Sequence, residues 1–208
     1  MRTIKEDILD WSKKIIEKPN KHLGNFATCP FAMGCRKKKQ FKIEEIHEAS
    51  NLLPKVVDLA NNLKRTKYRI IIVGCSDLSI NSEQLAASVE ALNFVFIPRD
   101  VYLMSSHPET SEDNIDFLYD HGFNTDNEFS MILIQRYQDL ENASQKLKKV
   151  GYYKNWEAEY YKETVEHRHN LQRRIDKMRG MKKTAKKVNG KMNPMMKKGK
   201  KKAKKKKK

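Results

Sequence analysis

Cys29 and His107 are the two residues of this sequence best suited to catalysis. Cys29 lies in the stretch Asn-Phe-Ala-Thr-Cys-Pro-Phe-Ala-Met-Gly-Cys-Arg over residues 25–36, where Thr28 is placed to cap a short helical turn. Backbone N–H groups at the start of that turn, together with the positive potential of residues 36–39, favour a thiolate. His107 follows a predicted strand at a His-Pro break, where an imidazole can act as a general base. The pair predicts a thiol-dependent enzyme acting on a small molecule bound near Cys29.

Other interpretations of these residues stay open. Cysteine is among the most frequently buried residue types, so a packing role for Cys29 competes with the catalytic one. A zinc site would combine Cys29 with Cys35, Cys75 and His107. Five residues separate the first two cysteines, against the usual two to four, and the other two ligands lack a paired motif, so we predict no metal and no cofactor. Asp77 follows a predicted strand, which is a ligand position in α/β folds or a cap for the next turn.

The positive charge of the chain is concentrated near its C-terminal end. The sequence has 43 Lys and Arg residues against 26 Asp and Glu residues, for a net charge of +17. Seventeen of these cations, and none of the acidic residues, lie between Lys177 and Lys208. The other 26 cations and all 26 acidic residues lie in residues 1–176, which are therefore neutral overall. The basic pI consequently does not indicate a basic folded domain.

The lysine-rich segment, residues 179–208, is predicted to be disordered, because it has too little apolar surface to offset the entropy of ordering. Lysine is a hydrated point charge, so its contacts with nucleic acid would be non-specific and steeply salt-dependent. A solvating role, a localisation signal and binding to an anionic membrane surface are the alternatives. The predicted polyanion-binding residues are Lys182, Lys183, Lys186, Lys187, Lys197, Lys198, Lys200, Lys201 and Lys202.

The sequence predicts a soluble cytoplasmic protein. No apolar block follows a basic start near Met1, so we expect no secretory signal. The longest apolar runs, such as residues 70–73, are far shorter than the ~20 residues that a membrane-spanning helix needs. Three cysteines form a sparse and odd-numbered set, which favours a reducing compartment.

Strands and helices alternate along the chain, which predicts an α/β fold. We expect a two-layer sandwich with a mixed sheet, for which a ferredoxin-like arrangement is one form. Its strands are predicted near residues 41–46, 68–74, 101–106 and 130–135, from β-branched runs closed by turn residues. A helix beginning near Ser82 and a long charged helix from Trp156 to Met178 are predicted from helical spacing and capping residues.

These elements divide the chain into an α/β domain over residues 1–150, a charged helix over residues 151–178 and a disordered tail over residues 179–208. If strand 101–106 runs antiparallel beside strand 41–46, its end brings His107 close to residues 25–36, here named the cysteine loop. That pairing of strands is the geometric prediction on which the thiol site depends.

Several short motifs resemble those of an uncharacterised bacterial family of small α/β domains. Trp11 in the first helix, Cys29-Pro30-Phe31-Ala32 and His107-Pro108 occur in the same order as in that family, whose motifs are a Cys-Pro-Phe-Ala stretch and a later His-Pro pair. The resemblance covers about residues 4–150, and the family's Arg-Ser-Pro segment is missing here. It implies that Cys29 and His107 belong to one site, but it implies no particular reaction.

Two classes of function therefore remain. The first is a neutral α/β domain whose polycationic tail associates non-specifically with nucleic acid. The second is a thiol-dependent enzyme that uses Cys29 with His107 as base. The first rests directly on composition and is the preferred prediction.

Overall fold

The computed structural model describes residues 2–111, 128–156 and 158–181. Its strands are β1 (Pro19–Asn20), β2 (Phe26–Ala27), β3 (Phe41–Ile46), β4 (Ile70–Cys75), β5 (Tyr102–Ser106) and β6 (Ser130–Gln135). Its α-helices are α1 (Ile4–Trp11), α2 (Ala32–Lys37), α3 (Ala49–Asn62), α4 (Ser82–Phe96), α5 (Tyr137–Lys149), α6 (Ala158–Tyr161) and α7 (residues 167–181). Contacts divide the chain after Tyr161, so that a second unit begins at Lys162.

The main sheet has four strands in the order β3-β4-β6-β5. β3 and β4 are parallel, with Phe41 beside Ile70 at one end and Ile46 beside Cys75 at the other. β6 is antiparallel to both β4 and β5. The predicted mixed sheet is therefore confirmed, and β3, β4 and β5 all run in the same direction.

The two faces of the sheet bury different sets of side chains, because successive residues of a strand point to opposite sides. On one face, Ile71 and Val73 of β4 belong to a core that also contains buried residues of α3 and α4. On the other face, Ile72 packs with Ile4 and Ile8 of α1. The strand β4 is apolar on both sides because both of its sides are covered.

Gly74 allows α1 to lie close to the sheet. A Cβ atom at this position would lie 2.6 Å from Ile8 Cδ1 and 2.8 Å from Ile4 Cγ2. A larger residue there would require the Ile4 and Ile8 side chains to shift, so this glycine belongs to a helix–sheet contact and not to a phosphate-binding loop.

The fold class predicted from the sequence is confirmed as α/β, with two differences in detail. Helices cover both faces of the sheet, whereas a two-layer sandwich has them on one face only. The described elements from β3 onward begin in the order β-α-β-α-β, which differs from the β-α-β-β-α-β order of a ferredoxin-like fold.

The predicted pairing of strand 101–106 with strand 41–46 is wrong. β5 and β3 form opposite edges of the sheet, with β4 and β6 between them. The apolar strand β6 takes the interior position because Ile132 and Ile134 are completely buried. β5 ends in Ser105 and Ser106, whose polar side chains suit an edge.

Local sequence explains the helix starts. Thr3 and Glu6 form a reciprocal capping box at α1. Asn81 and Gln84 form the same arrangement at α4, so the N-cap is Asn81 and the predicted Ser82 is the first helical residue. α3 lacks a cap from its own N-cap residue, Glu48.

The C-terminal helix predicted near residues 156–178 is present. α6 closes the first unit, and the second unit opens with a π-helical turn over Lys162–Glu166 that continues into α7. α7 is helical as far as the description reaches, at residue 181, which includes the predicted end at Met178. The remainder of the lysine-rich segment, from Lys182 onward, lies outside the described residues, and so does its predicted disorder.

Candidate functional site

The cysteine loop lies between α1 and β3 and is held by backbone hydrogen bonds. β1 and β2 pair as a short antiparallel hairpin that leads into it. The Cys29 N–H donates to the carbonyl of Ile16 at 3.0 Å, and the Cys29 carbonyl accepts from the Ala32 N–H at 3.0 Å. α2 begins only at Ala32, and its N-cap is Phe31, so the predicted capping role of Thr28 is wrong. The loop thus turns once before its helix starts.

The surroundings of Cys29 disfavour its thiolate. Burial is the largest influence and raises the pKa of this thiol above its ordinary value. Hydrogen bonds from the backbone N–H groups of Phe31 and Ala32 act in the opposite direction but are outweighed. The nearby Glu17 and Cys35 raise the pKa further. The backbone N–H groups thus favour the thiolate, as expected, but the effect of burial on the pKa is larger.

Arg36 does not supply the positive potential expected near the thiol, because it is committed to another partner. Its Nε and Nη2 atoms donate to the two carboxylate oxygens of Glu17, each at 2.7 Å. The Glu17 side chain is 2% exposed and also accepts from Ser12 Oγ at 3.2 Å. This two-pronged ion pair joins α2 to Glu17, which follows the π-helical turn after α1. It therefore fixes both ends of the loop that contains Cys29.

Tyr152 covers the cysteine loop and was missed by the sequence analysis. Its hydroxyl donates to the carbonyl of Thr28 at 2.6 Å and lies 3.1 Å from that of Ala27. Its ring packs edge-on against Phe26 and Trp156 at centroid distances of 5.3 Å. The dense aromatic run of residues 152–161 was the available signal for this packing.

His107 lies directly after β5, as its predicted place at a strand end requires. The residue is buried, and its Nδ1 atom accepts a hydrogen bond from the Glu109 N–H at 3.2 Å. The carboxylate of Glu109 in turn accepts from the Ser82 N–H at 3.0 Å, at the start of α4. These two hydrogen bonds therefore link the end of β5 to the start of α4.

The sheet separates Cys29 from His107. The cysteine loop leads through α2 to the start of β3 at one edge, whereas His107 follows the end of β5 at the other edge. β3 and β5 run in the same direction, so a strand start and a strand end lie at opposite ends of the sheet. Three inter-strand steps of about 4.8 Å already account for about 14 Å. The strand pairing on which the predicted approach of the two side chains depends is thus wrong, because β5 lies at the edge opposite β3.

The other cysteines serve different elements. Cys35 lies in α2 and is half-buried, and burial raises the pKa of its thiol. Cys75 is buried at the end of β4, where its Sγ lies 3.5 Å from the carbonyl oxygen of Asp77. Within residues 2–111, 128–156 and 158–181, no group of three or more His, Cys, Asp or Glu side chains is arranged to hold a metal ion.

Asp77 is a helix cap supplied from a distant point in the sequence. Its Oδ2 atom accepts from the Ala49 N–H at 2.9 Å, at the start of α3, and its Oδ1 atom accepts from the Ser79 N–H at 3.0 Å. These hydrogen bonds lower the pKa of the carboxyl group. Of the two roles considered for Asp77, the capping role accounts for both of its oxygens.

The comparisons add no assignment. No family model, curated protein or solved structure matches the chain. The resemblance of the Cys-Pro-Phe-Ala and His-Pro motifs to a bacterial family stays a prediction.

In the part of the chain that the structure describes, no helix is both long enough and apolar enough to cross a membrane. The nine predicted polyanion-binding lysines, from Lys182 to Lys202, lie outside the described residues.

Proposed function

We propose that the protein associates non-specifically with nucleic acid through its lysine-rich segment. The observation that carries this proposal is the run from Lys177 to Lys208, with seventeen cations and no carboxylate. A segment of this composition neutralises phosphates and releases their counterions without reading bases. Arg179 is the only arginine in the segment, so bidentate recognition of guanine plays little part.

The helix that precedes the segment supports the proposal. Asp176 is the only acidic residue in α7, and the cations Arg173, Arg174, Lys177 and Arg179 are exposed. Positive charge therefore begins on the described helix before the lysine runs are reached.

The thiol-dependent alternative gains no support from the geometry. Cys29 is half-buried, and desolvation raises the pKa of its thiol, while the strand order places His107 after β5, at the edge of the sheet opposite β3. A nucleophile needs the opposite conditions, namely an accessible thiolate and a base within reach.

The test is a titration of labelled duplex DNA and single-stranded RNA with the full chain over a range of salt concentrations. The variant replaces by Gln the nine lysines Lys182, Lys183, Lys186, Lys187, Lys197, Lys198, Lys200, Lys201 and Lys202. Each lost phosphate contact lowers the slope of log affinity against log salt by about 0.9 on duplex DNA, so the slope should fall by up to about eight.

The control shuffles the order of residues 179–208 and keeps their composition. We expect this chain to bind as the native one does, because the proposed contact depends on charge and not on order. Unchanged affinity after neutralisation of the nine lysines would contradict the proposal. A large loss in the shuffled chain would instead indicate recognition of a specific motif.

A further inference from the structure

The first unit is close to neutral, with 22 Lys and Arg residues against 23 Asp and Glu residues, but charge is separated between the two ends of its sheet. β3, β4 and β5 run in the same direction, so the segments before them lie at one end and the segments after them lie at the other. The residues that follow β6 lie at the same end as the starts of β3, β4 and β5, because β6 runs in the opposite direction. The two groups of segments differ sharply in charge.

The segments at the strand starts form a cationic surface, here named the basic end. Its exposed or half-exposed cations are Lys37, Lys38, Lys39, Lys64, Arg65, Lys67, Arg69, Arg99 and Arg136. The carboxylates among them are those of Asp100 and Asp139. Asp100 lies 3.8 Å from Lys64 Nζ and 3.5 Å from Arg136 Nε, and Asp139 lies 3.4 Å from Arg69 Nη1.

Several cations of the basic end have no acidic partner. Among the described residues, Lys37, Lys38, Lys39, Arg65 and Lys67 form no ion pair. The backbone holds two parts of this surface together, because the Gln40 carbonyl accepts from the Arg69 N–H at 2.8 Å. The three consecutive lysines before β3 therefore lie beside the cations that precede β4.

The opposite end of the sheet is acidic. Residues 47–48, 76–83 and 106–109, which follow β3, β4 and β5 or end β5, contain no Lys or Arg. Their carboxylates are those of Glu48, Asp77, Glu83 and Glu109, whereas Glu44 within β3 is paired with Lys42 and Lys55. Asp77 and Glu109 hold the starts of α3 and α4, as described above.

Helix dipoles explain only part of this separation. Carboxylates at the starts of α3 and α4, and cations in the last turn of α2, are the arrangement that the dipoles favour. That effect is confined to the last turn of a helix. It leaves Lys38, Lys39 and Lys67 unexplained, since they lie in the segments beyond the helices.

We propose that the basic end is a second nucleic-acid-binding surface, which contacts the phosphate backbone. Arginine and lysine side chains that lack a carboxylate partner are the groups that phosphates attract most strongly. The acidic opposite end repels a polyanion, so the field of the unit orients the approach toward the strand starts.

The partner class is the same as in the proposed function, but the inference rests on different residues. Phe31 and Met33 are exposed near the three lysines, at 42% and 39%, so an anionic membrane is the rival partner. Cations outnumber these two apolar side chains on the surface, which favours contact with phosphates over insertion among lipid chains.

The experiment uses the full chain in which the nine tail lysines, together with Lys191 and Lys204–Lys208, are already Gln, so that the tail contributes little to binding. In this background the test variant is K37Q/K38Q/K39Q. The matched control is K146Q/K148Q/K149Q, which removes the same charge from three exposed lysines in the last turn of α5. R65Q/K67Q is a second test variant at the basic end.

We expect the background chain to keep salt-dependent binding to duplex DNA. K37Q/K38Q/K39Q should lower its affinity by about tenfold or more at low salt and reduce the salt slope by about two to three. R65Q/K67Q should act in the same direction, and K146Q/K148Q/K149Q should leave affinity nearly unchanged. Thermal unfolding of each variant shows that the fold is retained.

Equal losses in the test and control variants would overturn the proposal, because they would reflect net charge and not this surface. The absence of binding in the background chain would overturn it as well. So would Lys37–Lys39-dependent binding to vesicles containing phosphatidylserine without binding to nucleic acid. If the tail variant binds as the native chain does while K37Q/K38Q/K39Q weakens binding, the proposed function fails and this inference stands.

Discussion

Asn93 of α4 forms two hydrogen bonds with the backbone of Leu103 on β5. Its Nδ2 atom donates to the Leu103 carbonyl at 3.0 Å, and its Oδ1 atom accepts from the Leu103 N–H at 2.9 Å. Both residues are buried, and β5 is an edge strand. The amide therefore takes the place of a neighbouring strand and satisfies the outward backbone groups of Leu103.

Replacement of Asn93 by Ala should destabilise the protein strongly. It leaves a buried N–H and a buried carbonyl without partners, and each such group costs about 1–3 kcal/mol. We expect a loss of about 2–4 kcal/mol in the free energy of unfolding, measured by urea denaturation. The control is Asn142→Ala on the exposed side of α5, which should change stability by less than about 0.5 kcal/mol. Similar values for the two variants would show that the Asn93 amide has no structural role.

The pair formed by Glu17 and Arg36 should make stability depend on acid pH. Arg36 holds the pKa of Glu17 below its ordinary value, so the native state binds this proton less readily than the unfolded chain. The contribution is complete above about pH 4.3, the ordinary pKa of Glu, and is lost as the pH falls through the lowered pKa. Since the Arg36 side chain is 28% exposed, we expect Glu17→Gln to cost about 1–3 kcal/mol at pH 7.

Denaturation of the native chain and the Glu17→Gln variant from neutral to acid pH measures this contribution. The difference in stability between the two should shrink as the pH falls. Glu83→Gln, on the exposed first turn of α4, is the control and should give a small difference at every pH. A difference between native and Glu17→Gln chains that stays constant down to low pH would contradict the assigned cause.

Local patterns were sufficient to predict the elements that bury their own side chains. The β-branched run at residues 70–73 and the apolar run at residues 131–134 are both strands, because such residues pack well on a pleated surface. The spacing of Ile4 and Ile8, four residues apart, likewise matches the buried side of α1. In these segments, the spacing of apolar residues reflects which side of the element is buried, so the sequence pattern alone predicts the burial.

Relationships between distant segments could not be predicted in this way. β6 lies between β4 and β5 although it follows both in the sequence, and this order decides where His107 lies. Asp77 caps a helix that begins 28 residues before it, so no capping motif near Ala49 reveals it. The charge separation of the first unit was hidden for the same reason, since the basic segments are adjacent only after folding.

Cys29 should react slowly with iodoacetamide in the native protein. Only the thiolate reacts, and burial raises the pKa of this thiol above its ordinary value of about 8.5. At neutral pH, the native rate should therefore be well below the rate for the same cysteine in the urea-unfolded chain. Digestion and mass spectrometry report the rate separately at Cys29 and Cys35.

Substitutions of Tyr152 test whether burial causes the slow reaction of Cys29, because the Tyr152 hydroxyl and ring cover the cysteine loop. Tyr152→Ala should expose Cys29 and raise its alkylation rate toward the unfolded value, whereas Tyr152→Phe keeps the ring and should raise the rate less. Rapid alkylation of Cys29 in the native chain, with a midpoint below pH 8, would contradict the assigned burial. That result would restore a reactive thiolate, which the thiol-dependent alternative requires.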